Sequence, residues 1–280
     1  MPKPFVKWVG GKTQLLSQIE ERLPASFIDY YEPFVGGGAL YCNIEVKNST
    51  INDMNPNLVN VYRQIRDNLS ELQLHLDEME NVFNSLPENE KEKYYYKVRD
   101  EFNQSIINKD NTTSNAAQFI FLNKTSFNGL YRCNRSGKFN VAFGKKKKVS
   151  TYDFDNLQEL SEKLKNTQIL TGDFEAACDN AKAGDFVFFD SPYVETFDTY
   201  QAEGFSEEDH IRLRNLFKKL TDKGVHCMLT NSNTDFVKEL YAEYNIEIVD
   251  VRRSVNRDAS NRKGQEVIIT NYVPKIILNY

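Results

Sequence analysis

Long apolar runs, paired cysteines and clustered histidines are all missing from this chain of 280 residues. A membrane-spanning helix needs about 20 consecutive apolar residues, and no segment approaches that length. Residues 1–12 carry proline, tryptophan and glycines where a signal peptide needs a continuous apolar stretch. The four cysteines and three histidines show no paired spacing, which argues against a zinc site or a disulfide framework. We therefore expect a globular cytoplasmic protein with reduced thiols, no membrane association and no bound metal.

Acidic residues are missing from one long segment, although the net charge of the chain is −5. Residues 124–150 contain no Asp or Glu, and their basic residues are Lys124, Arg132, Arg135, Lys138 and the run 145–148. A second basic stretch, opposed only by Asp258, holds Arg252, Arg253, Arg257, Arg262 and Lys263. A basic face of this kind suits a polyanion such as nucleic acid even when the average charge is negative. The lysine run 145–148 is equally typical of a solvated loop.

Strand and helix signals alternate over most of the chain, which predicts an α/β protein. The opening residues predict a strand, a turn at Gly10 and Gly11, and a helix. Apolar or aromatic strands are expected at residues 27–34, 50–51, 185–190, 226–230, 246–251 and 266–272. Ser206 and Asp209 have the spacing of a capping box, which predicts a helix start.

The alternation is interrupted in the middle of the chain. Residues 70–125 show helical patterns without strand signals, and residues 130–141 predict a β-hairpin around a glycine turn. We therefore predict one α/β core, residues 1–55 and 155–280, with a small domain of residues 56–154 inserted into it.

Three consecutive glycines, residues 36–38, follow a predicted strand, and Asp53 ends the next one. Glycines let the backbone approach a bound nucleoside, and a carboxylate at this place can accept hydrogen bonds from ribose hydroxyls. A dinucleotide fingerprint would need glycine at position 41, where Tyr41 stands, and a phosphate-binding loop would need it at position 6, where Val6 stands. The spacing therefore disfavours a nucleotide-dependent oxidoreductase, while a plain tight turn stays open for the glycine triplet alone.

Asp190, Ser191, Pro192 and Tyr193 directly follow a strand of continuous apolar residues. An amine on an aromatic base is a poor nucleophile because its lone pair is delocalised into the ring. The Asp190 carboxylate and the carbonyl of residue 191 can bind its two hydrogens, and Tyr193 can stack on the base. The tetrapeptide therefore predicts a site that methylates a planar amine. The alternative is a strand-end Asp that caps a turn, with Tyr193 in the core.

Several motifs in sequence order resemble those of Dam-type DNA adenine methyltransferases. Residues 7–12 (KWVGGK) resemble the KWxGGK element, residues 32–38 (EPFVGGG) the EPFxGGG cofactor loop, and residues 190–193 (DSPY) the DPPY motif. Residues 231–233 and 270–272 also match, so that the resemblance covers nearly the whole chain. It implies a Rossmann-like class I methyltransferase sheet with an inserted, mostly helical recognition domain that carries the hairpin.

The resemblance also implies functions for individual residues. The residues expected to bind S-adenosylmethionine are Trp8, Lys12, Phe34, Gly36, Asp53, Phe174 and Asp190. The residue pattern alone supports Asp53 and the glycines, but it would place the only tryptophan in the core. The residues expected to contact duplex DNA are Lys7, Asn128, Leu130, Arg132 and Ala142. By this match Arg132 binds a guanine in the major groove, for which a phosphate contact is the alternative.

Two positions depart from the family pattern. Ser191 replaces a proline in the catalytic motif, which is compatible with activity if the position acts through its carbonyl. Ala142 replaces a proline at the end of the hairpin, which weakens the inference that the target is GATC. We expect direct methyl transfer to the N6 amine of a flipped adenine by a monomer, with a restriction endonuclease for the same site as a candidate partner.

Two alternatives stay open at this point. One is a methyltransferase for cytosine, RNA or a protein amide, which would use the same motif because each of these substrates carries a planar amino group. A non-catalytic DNA-binding protein on the same fold is the other, although Trp8, Lys12, Asp53 and Asp190 argue against it.

Overall fold

The computed structural model describes residues 1–193, 205–252 and 263–274. The second basic stretch falls largely outside the described residues, since Arg253, Arg257 and Arg262 are not among them.

Within the described ranges, seven β-strands form a mixed sheet with the strand order β3-β2-β1-β4-β5-β7-β6. Strand β1 is parallel to β2 and β4, β4 is parallel to β5, and β7 is antiparallel to both β5 and β6. The bounds are β1 Tyr30–Glu32, β2 Ser49–Asp53, β3 Thr167–Thr171, β4 Phe186–Asp190, β5 His226–Ser232, β6 Asn245–Arg252 and β7 Lys263–Thr270. The strands predicted from apolar runs are confirmed, and the α/β sheet fits a class I methyltransferase fold.

Ten α-helices accompany the sheet in the described part of the chain. Five of them, α3 to α7, lie in sequence between β2 and β3, and α4 to α6 confirm the predicted helical stretch of residues 70–125. None of the described helices is long and apolar enough to cross a membrane. The bounds are α1 Leu16–Glu21, α2 Ala39–Asn43, α3 Pro56–Asp67, α4 Leu69–Ser85, α5 Glu88–Asn108, α6 Thr113–Thr125, α7 Phe154–Leu164, α8 Phe174–Ala177, α9 Glu207–Asp222 and α10 Asp235–Leu240.

The strand predicted before Gly10 is wrong. The described residues 1–9 contain no strand, and a short 3-10 helix, Lys12–Gln14, precedes α1. The side chain of Asn123 explains the difference, since it accepts a hydrogen bond from the Lys7 amide at 3.0 Å and donates one to the Lys7 carbonyl at 2.9 Å. One amide side chain therefore satisfies the backbone groups that a neighbouring strand would otherwise pair.

The chain divides into two compact units. The first consists of Met1–Gly11, Gly36–Ile44 and Asn55–Thr171, and the second of Lys12–Val35, Glu45–Met54 and Gly172–Tyr280. Buried aromatic side chains on α3 to α6, such as Tyr62, Tyr95 and Phe121, fill the first unit. The core of the second unit packs β4, β5 and β7 against apolar residues of α9. The boundaries of the predicted inserted domain, residues 56–154, stay a prediction.

Helix α9 begins with the predicted capping box, in which Ser206 and Asp209 exchange side-chain to backbone hydrogen bonds. His210 follows it and is only 2% exposed, beneath the ring of Phe205 at 4.7 Å. Burial lowers the pKa of His210 to about 4, against a weaker opposing effect of Asp209. Its Nε2 atom has no hydrogen-bond partner among the described residues.

We expect this histidine to make stability fall in mild acid. Between pH 6.5 and about 4 the unfolded chain binds a proton that folded His210 does not, so stability decreases as pH falls. The loss between pH 7 and 5 should be on the order of 2 kcal/mol, measured by urea unfolding. His210→Gln should lose that much less, whereas His75→Gln on the surface of α4 should behave like the unchanged chain. An identical loss in His210→Gln would contradict the assignment.

Candidate active site

The carboxyl ends of parallel strands β1, β2 and β4 lie at the same edge of the sheet, where open α/β sheets bind their ligands. Phe34 follows β1, Asp53 ends β2 and Asp190 ends β4. The sheet therefore gathers three of the predicted site residues at one edge of the second unit.

Asn52 holds the loops at this edge together. Its side-chain amide donates hydrogen bonds to the backbone carbonyls of Pro33 and Gly172, each at 2.9 Å. The backbone carbonyl of Asn52 accepts a hydrogen bond from the Val35 amide at 2.9 Å. The Gly172 amide in turn donates to the Asp53 carbonyl at 3.3 Å. Asn52 is 2% exposed, and sequence reasoning did not select it as a site residue. It fixes the loop that carries Phe34 next to the residue that ends β2.

Phe34 and Phe174, both predicted to line the cofactor pocket, stack on each other with centroids 5.3 Å apart and 29° between the ring planes. Phe205 packs against both rings at 5.8 Å. The guanidinium of Arg212 on α9 lies over the Phe174 ring, 4.9 Å from its centroid. Its three nitrogen atoms donate to carboxylates at 2.9–3.0 Å, which belong to Asp173, Glu175 and Asp209. This network holds Phe174 in place, and only a folded structure could reveal it, because α8 and α9 are distant in sequence.

Asp190 pairs with Lys12, whose Nζ atom lies 2.5 Å from its Oδ1 atom. The hydroxyl of Thr230 on β5 donates to the same oxygen at 3.0 Å. Burial raises the pKa of the Asp190 carboxyl, while the ammonium of Lys12 and the Thr230 hydroxyl oppose this effect. Lys12 itself is 5% exposed, so the pair is shielded from water. The pair fixes the orientation of the carboxylate at the end of β4.

Two of the residues that follow Asp190 in the tetrapeptide, Ser191 and Tyr193, are also held by side-chain contacts. Ser191 is buried, and its hydroxyl accepts a hydrogen bond from the Asn231 amide at 3.2 Å. Pro192 is exposed, whereas the Tyr193 ring lies 4.7 Å from the Lys12 ammonium and its hydroxyl donates to Glu266 on β7. A proline at position 191 would have no hydroxyl for Asn231, so this chain uses serine to hold the same turn. The Asp190 carboxylate and the Tyr193 ring therefore both contact Lys12, with the buried Ser191 between them in sequence.

Trp8 and Gly36, the remaining predicted cofactor residues, belong to the first unit. Gly36 adopts a left-handed backbone with φ +48°, and a Cβ atom there would lie 2.6 Å from Cδ1 of Trp8. The Tyr62 hydroxyl holds this turn by donating to the Gly36 carbonyl at 3.0 Å. Trp8 is only partly buried, so the residue pattern alone was wrong to place it in the core.

The predicted DNA-binding residues all lie in the first unit, and Asn123 joins two groups of them. Its side chain bonds both backbone groups of Lys7, and it also donates to the Gly129 carbonyl at 3.0 Å. Gly129 lies between Asn128, which has a left-handed φ of 57°, and Leu130. The structure therefore brings Lys7 next to residues 128–130. Asn123 was not selected from the sequence, because its function depends on this tertiary contact.

Arg132 and Ala142 are both exposed on the segment that follows. Arg132 donates through Nε to the Asn140 side chain at 2.9 Å, and its carbonyl accepts from the Asn140 amide at 3.0 Å. The carbonyl of Ala142 accepts from the Phe127 amide at 2.9 Å. One isolated β-bridge joins Cys133 to Phe139, and another joins Ser126 to Phe143. Residues 126–143 are all described, and they contain no β-strand beyond these single bridges.

Comparison with known proteins agrees with this arrangement. A family model described as D12 class N6 adenine-specific DNA methyltransferase matches residues 8–255. The type II methyltransferase M.MjaIII of Methanocaldococcus jannaschii is 42% identical over 96% of this chain and 99% of its own length. The type II methyltransferase M1.LlaDCHI of Lactococcus lactis subsp. cremoris is 40% identical over 96% of this chain and 95% of its own.

The Dam resemblance inferred from the motifs is also confirmed. DNA adenine methylase of Escherichia coli K12 is 28% identical over 98% of this chain and 97% of its own length. The family match spans the cofactor-type loop, the helices between β2 and β3 and the strand-end tetrapeptide, which are the features described above. The chain belongs to the D12 class of N6 adenine-specific DNA methyltransferases.

Proposed function

We propose that this enzyme transfers the methyl group of S-adenosylmethionine to the N6 amine of adenine in duplex DNA, at GATC. The observation that carries the proposal is the strand-end Asp190, held by Lys12 and Thr230 and followed by a buried Ser191 and by Tyr193, whose ring lies against the Lys12 ammonium. Ser191 directly follows the carboxylate, so its carbonyl is available as the second acceptor for an amine with two hydrogens.

The chain's own residues orient and activate the amine. Asp190 and the carbonyl of residue 191 accept its two hydrogens and favour the pyramidal nitrogen that can attack. The Tyr193 ring stacks on the flipped base, whose extrusion costs a few kcal/mol. The bound cofactor supplies an electrophilic methyl group on a sulfonium. With the amine held by Asp190 and the carbonyl of residue 191, the transfer would leave S-adenosylhomocysteine and would release the displaced amine proton to water.

Two features support S-adenosylmethionine as the donor. The Gly36 turn has φ +48° and lets the Trp8 indole rest directly on the backbone, which keeps the indole beside the glycine loop that resembles the family's cofactor loop. In the second unit, Asp53 ends β2 and its carbonyl accepts a hydrogen bond from Gly172, two residues before Phe174, and a carboxylate at this strand end suits ribose hydroxyls. Trp8, Lys12, Phe34, Gly36, Asp53, Phe174 and Asp190 are the proposed cofactor residues.

The DNA target is proposed from the first unit and from the resemblance to Dam-type enzymes. Lys7, Asn128, Leu130, Arg132 and Ala142 would contact the duplex, within or beside an inserted domain of residues 56–154. Ala142 departs from the family proline, yet its contact with Phe127 uses the backbone carbonyl, which proline also has. The replacement therefore leaves the local fold intact, and GATC stays the proposed site.

The test is to express the chain in a host without adenine methylation and to map modified bases in its DNA. N6-methyladenine at GATC would support both the chemistry and the target. Methylation of adenine in another sequence would retain the enzyme and reject the assignment of Ala142 and its neighbours. Unmodified DNA from a soluble, folded protein would reject the proposed reaction. Incubation with S-adenosylmethionine labelled in its methyl group tests the donor directly.

Arg132→Ala should reduce the preference for GATC over sites altered at the guanine more than it weakens binding to unrelated DNA. A bidentate arginine–guanine contact contributes about 1–3 kcal/mol of discrimination, or roughly five- to 150-fold in relative kcat/KM. The measurement compares methylation of GATC with that of sites altered at the guanine. Arg135→Ala, which removes an exposed arginine from the same turn, is the control and should leave the ratio unchanged. Equal losses on all sequences would indicate a phosphate contact instead.

The names of the type II relatives also favour a partner. We propose that the enzyme acts as a monomer and protects DNA from a restriction endonuclease with the same target. DNA methylated by this chain should then resist GATC-cleaving endonucleases that methylation blocks.

A further inference from the structure

Tyr131 belongs to a cluster of three aromatic rings in the first unit, in which Trp8 and Phe119 also contact each other with centroids 6.2 Å apart. Its ring stacks on Trp8 with centroids 5.5 Å apart and 26° between the planes, and on Phe119 at 5.0 Å and 30°. Its hydroxyl accepts a hydrogen bond from the Asn57 amide, in the first turn of α3, at 3.4 Å. Two ring contacts and the hydrogen bond at its hydroxyl hold this ring in place.

Along the chain, Tyr131 sits between Leu130 and Arg132, two of the proposed DNA contacts. Residues 132–138 are all exposed, whereas Tyr131 is partly buried. Tyr131 is therefore the last anchored residue before the exposed basic segment. The position of its ring determines where Arg132 leaves the body of the unit.

Trp8 contacts Tyr131 on one side and the Gly36 turn on the other. A Cβ atom on Gly36 would lie 2.6 Å from Cδ1 and 3.0 Å from Nε1 of the indole, so the ring already rests on the glycine backbone. Close-packed groups pass small displacements to their neighbours, because little empty volume separates them. A shift of the indole is thus passed on to Tyr131 and to the arginine that follows it.

We propose that Tyr131 is a positioning residue that couples cofactor binding at Trp8 and Gly36 to base recognition by Arg132. The inference rests on the proposed function, since it takes from it the ligand at each end. A cofactor held against Trp8 fixes the indole and the Tyr131 ring, and so orders the segment that meets DNA. By linkage, DNA must raise cofactor affinity by the same factor as the cofactor raises DNA affinity.

The experiment measures binding of a duplex that contains GATC, with and without saturating S-adenosylhomocysteine, by fluorescence anisotropy. In the unchanged chain we expect the cofactor product to tighten DNA binding about five- to tenfold. Tyr131→Met fills the space without a ring and should reduce that factor to about one, while each ligand alone binds within about twofold of normal. Tyr131→Phe keeps the stack and should keep the factor. Tyr96→Met, at another partly buried tyrosine of this unit, is the matched control.

Retention of the full factor in Tyr131→Met would overturn the proposal, as would its absence from an unchanged chain that methylates DNA. A chain that neither binds these ligands nor methylates DNA would instead reject the proposed function. Hydrogen exchange in the unchanged chain gives a test that does not depend on how a variant folds. S-adenosylhomocysteine alone should slow amide exchange at Asn140, whose N–H is bonded to the Arg132 carbonyl, and unaltered exchange there would contradict the coupling.

Discussion

Asp190→Asn should lower kcat by at least about a thousandfold, which corresponds to about 4 kcal/mol of transition-state stabilisation. The substitution keeps the shape of the side chain but removes the charge that Lys12 and Thr230 hold in place. The amide also presents a donor where the substrate amine needs an acceptor. Single-turnover methylation of a GATC duplex measures the chemical step without product release.

The control for this experiment is Asp179→Asn, which removes a carboxylate exposed to solvent just after α8. It should methylate at the normal rate. DNA binding and thermal unfolding of Asp190→Asn must be measured beside it, because Lys12 is 5% exposed and loses its carboxylate partner. A folded Asp190→Asn chain that binds DNA and methylates it within tenfold of normal would refute the catalytic assignment.

Gly36→Ala should weaken S-adenosylmethionine binding by tenfold or more, which is about 1.4 kcal/mol. The new methyl group would overlap the indole of Trp8, and its φ of +48° is unfavourable for any residue with a Cβ atom. Forcing extra volume into a packed site costs about 1–3 kcal/mol. The indole, which we propose as a cofactor contact, would have to move from its present position. Calorimetric titration with the cofactor measures the effect.

Gly137→Ala separates the clash from the backbone strain. Gly137 has a similar φ of +75°, but a Cβ atom there meets nothing within 4 Å. Its alanine variant should therefore bind the cofactor normally and lose only a little stability. If Gly36→Ala binds the cofactor as well as Gly137→Ala does, the indole can move aside and the contact with Trp8 does not shape the pocket.

Local sequence signals were sufficient for six of the seven described strands and for the start of α9, whereas β3, Thr167–Thr171, was not predicted. The apolar run in β4 and the capping box of α9 each specify their own structure within a few residues, so both predictions are confirmed. The opening strand is wrong for the opposite reason. Residues near Val6 have a strand-like composition, but Asn123 is far away in sequence, and no local pattern shows that its side chain binds the backbone of Lys7.

The candidate site divides in the same way. Asp53 and Asp190 could be identified from the chemistry of strand ends, whereas Trp8 required the family resemblance. Asn52 and Arg212 were missed, because their functions arise from contacts between loops and helices that are remote along the chain. A residue that acts by holding others in place leaves a sequence signal only when its partners are close to it in the chain.

The pairing of β1 with β4 also affects how the protein is made. Tyr30 in β1 lies beside Phe186 in β4, so one edge of β1 has no partner until most of the chain has left the ribosome. At roughly 5–20 residues per second this wait lasts on the order of 10–30 s. During that time the nascent chain exposes Tyr30 and Tyr31, which are 0% and 6% exposed in the folded protein. Nascent chains should therefore bind chaperones that recognise apolar strands until β4 is synthesised, and truncation before Phe186 should leave an aggregation-prone fragment.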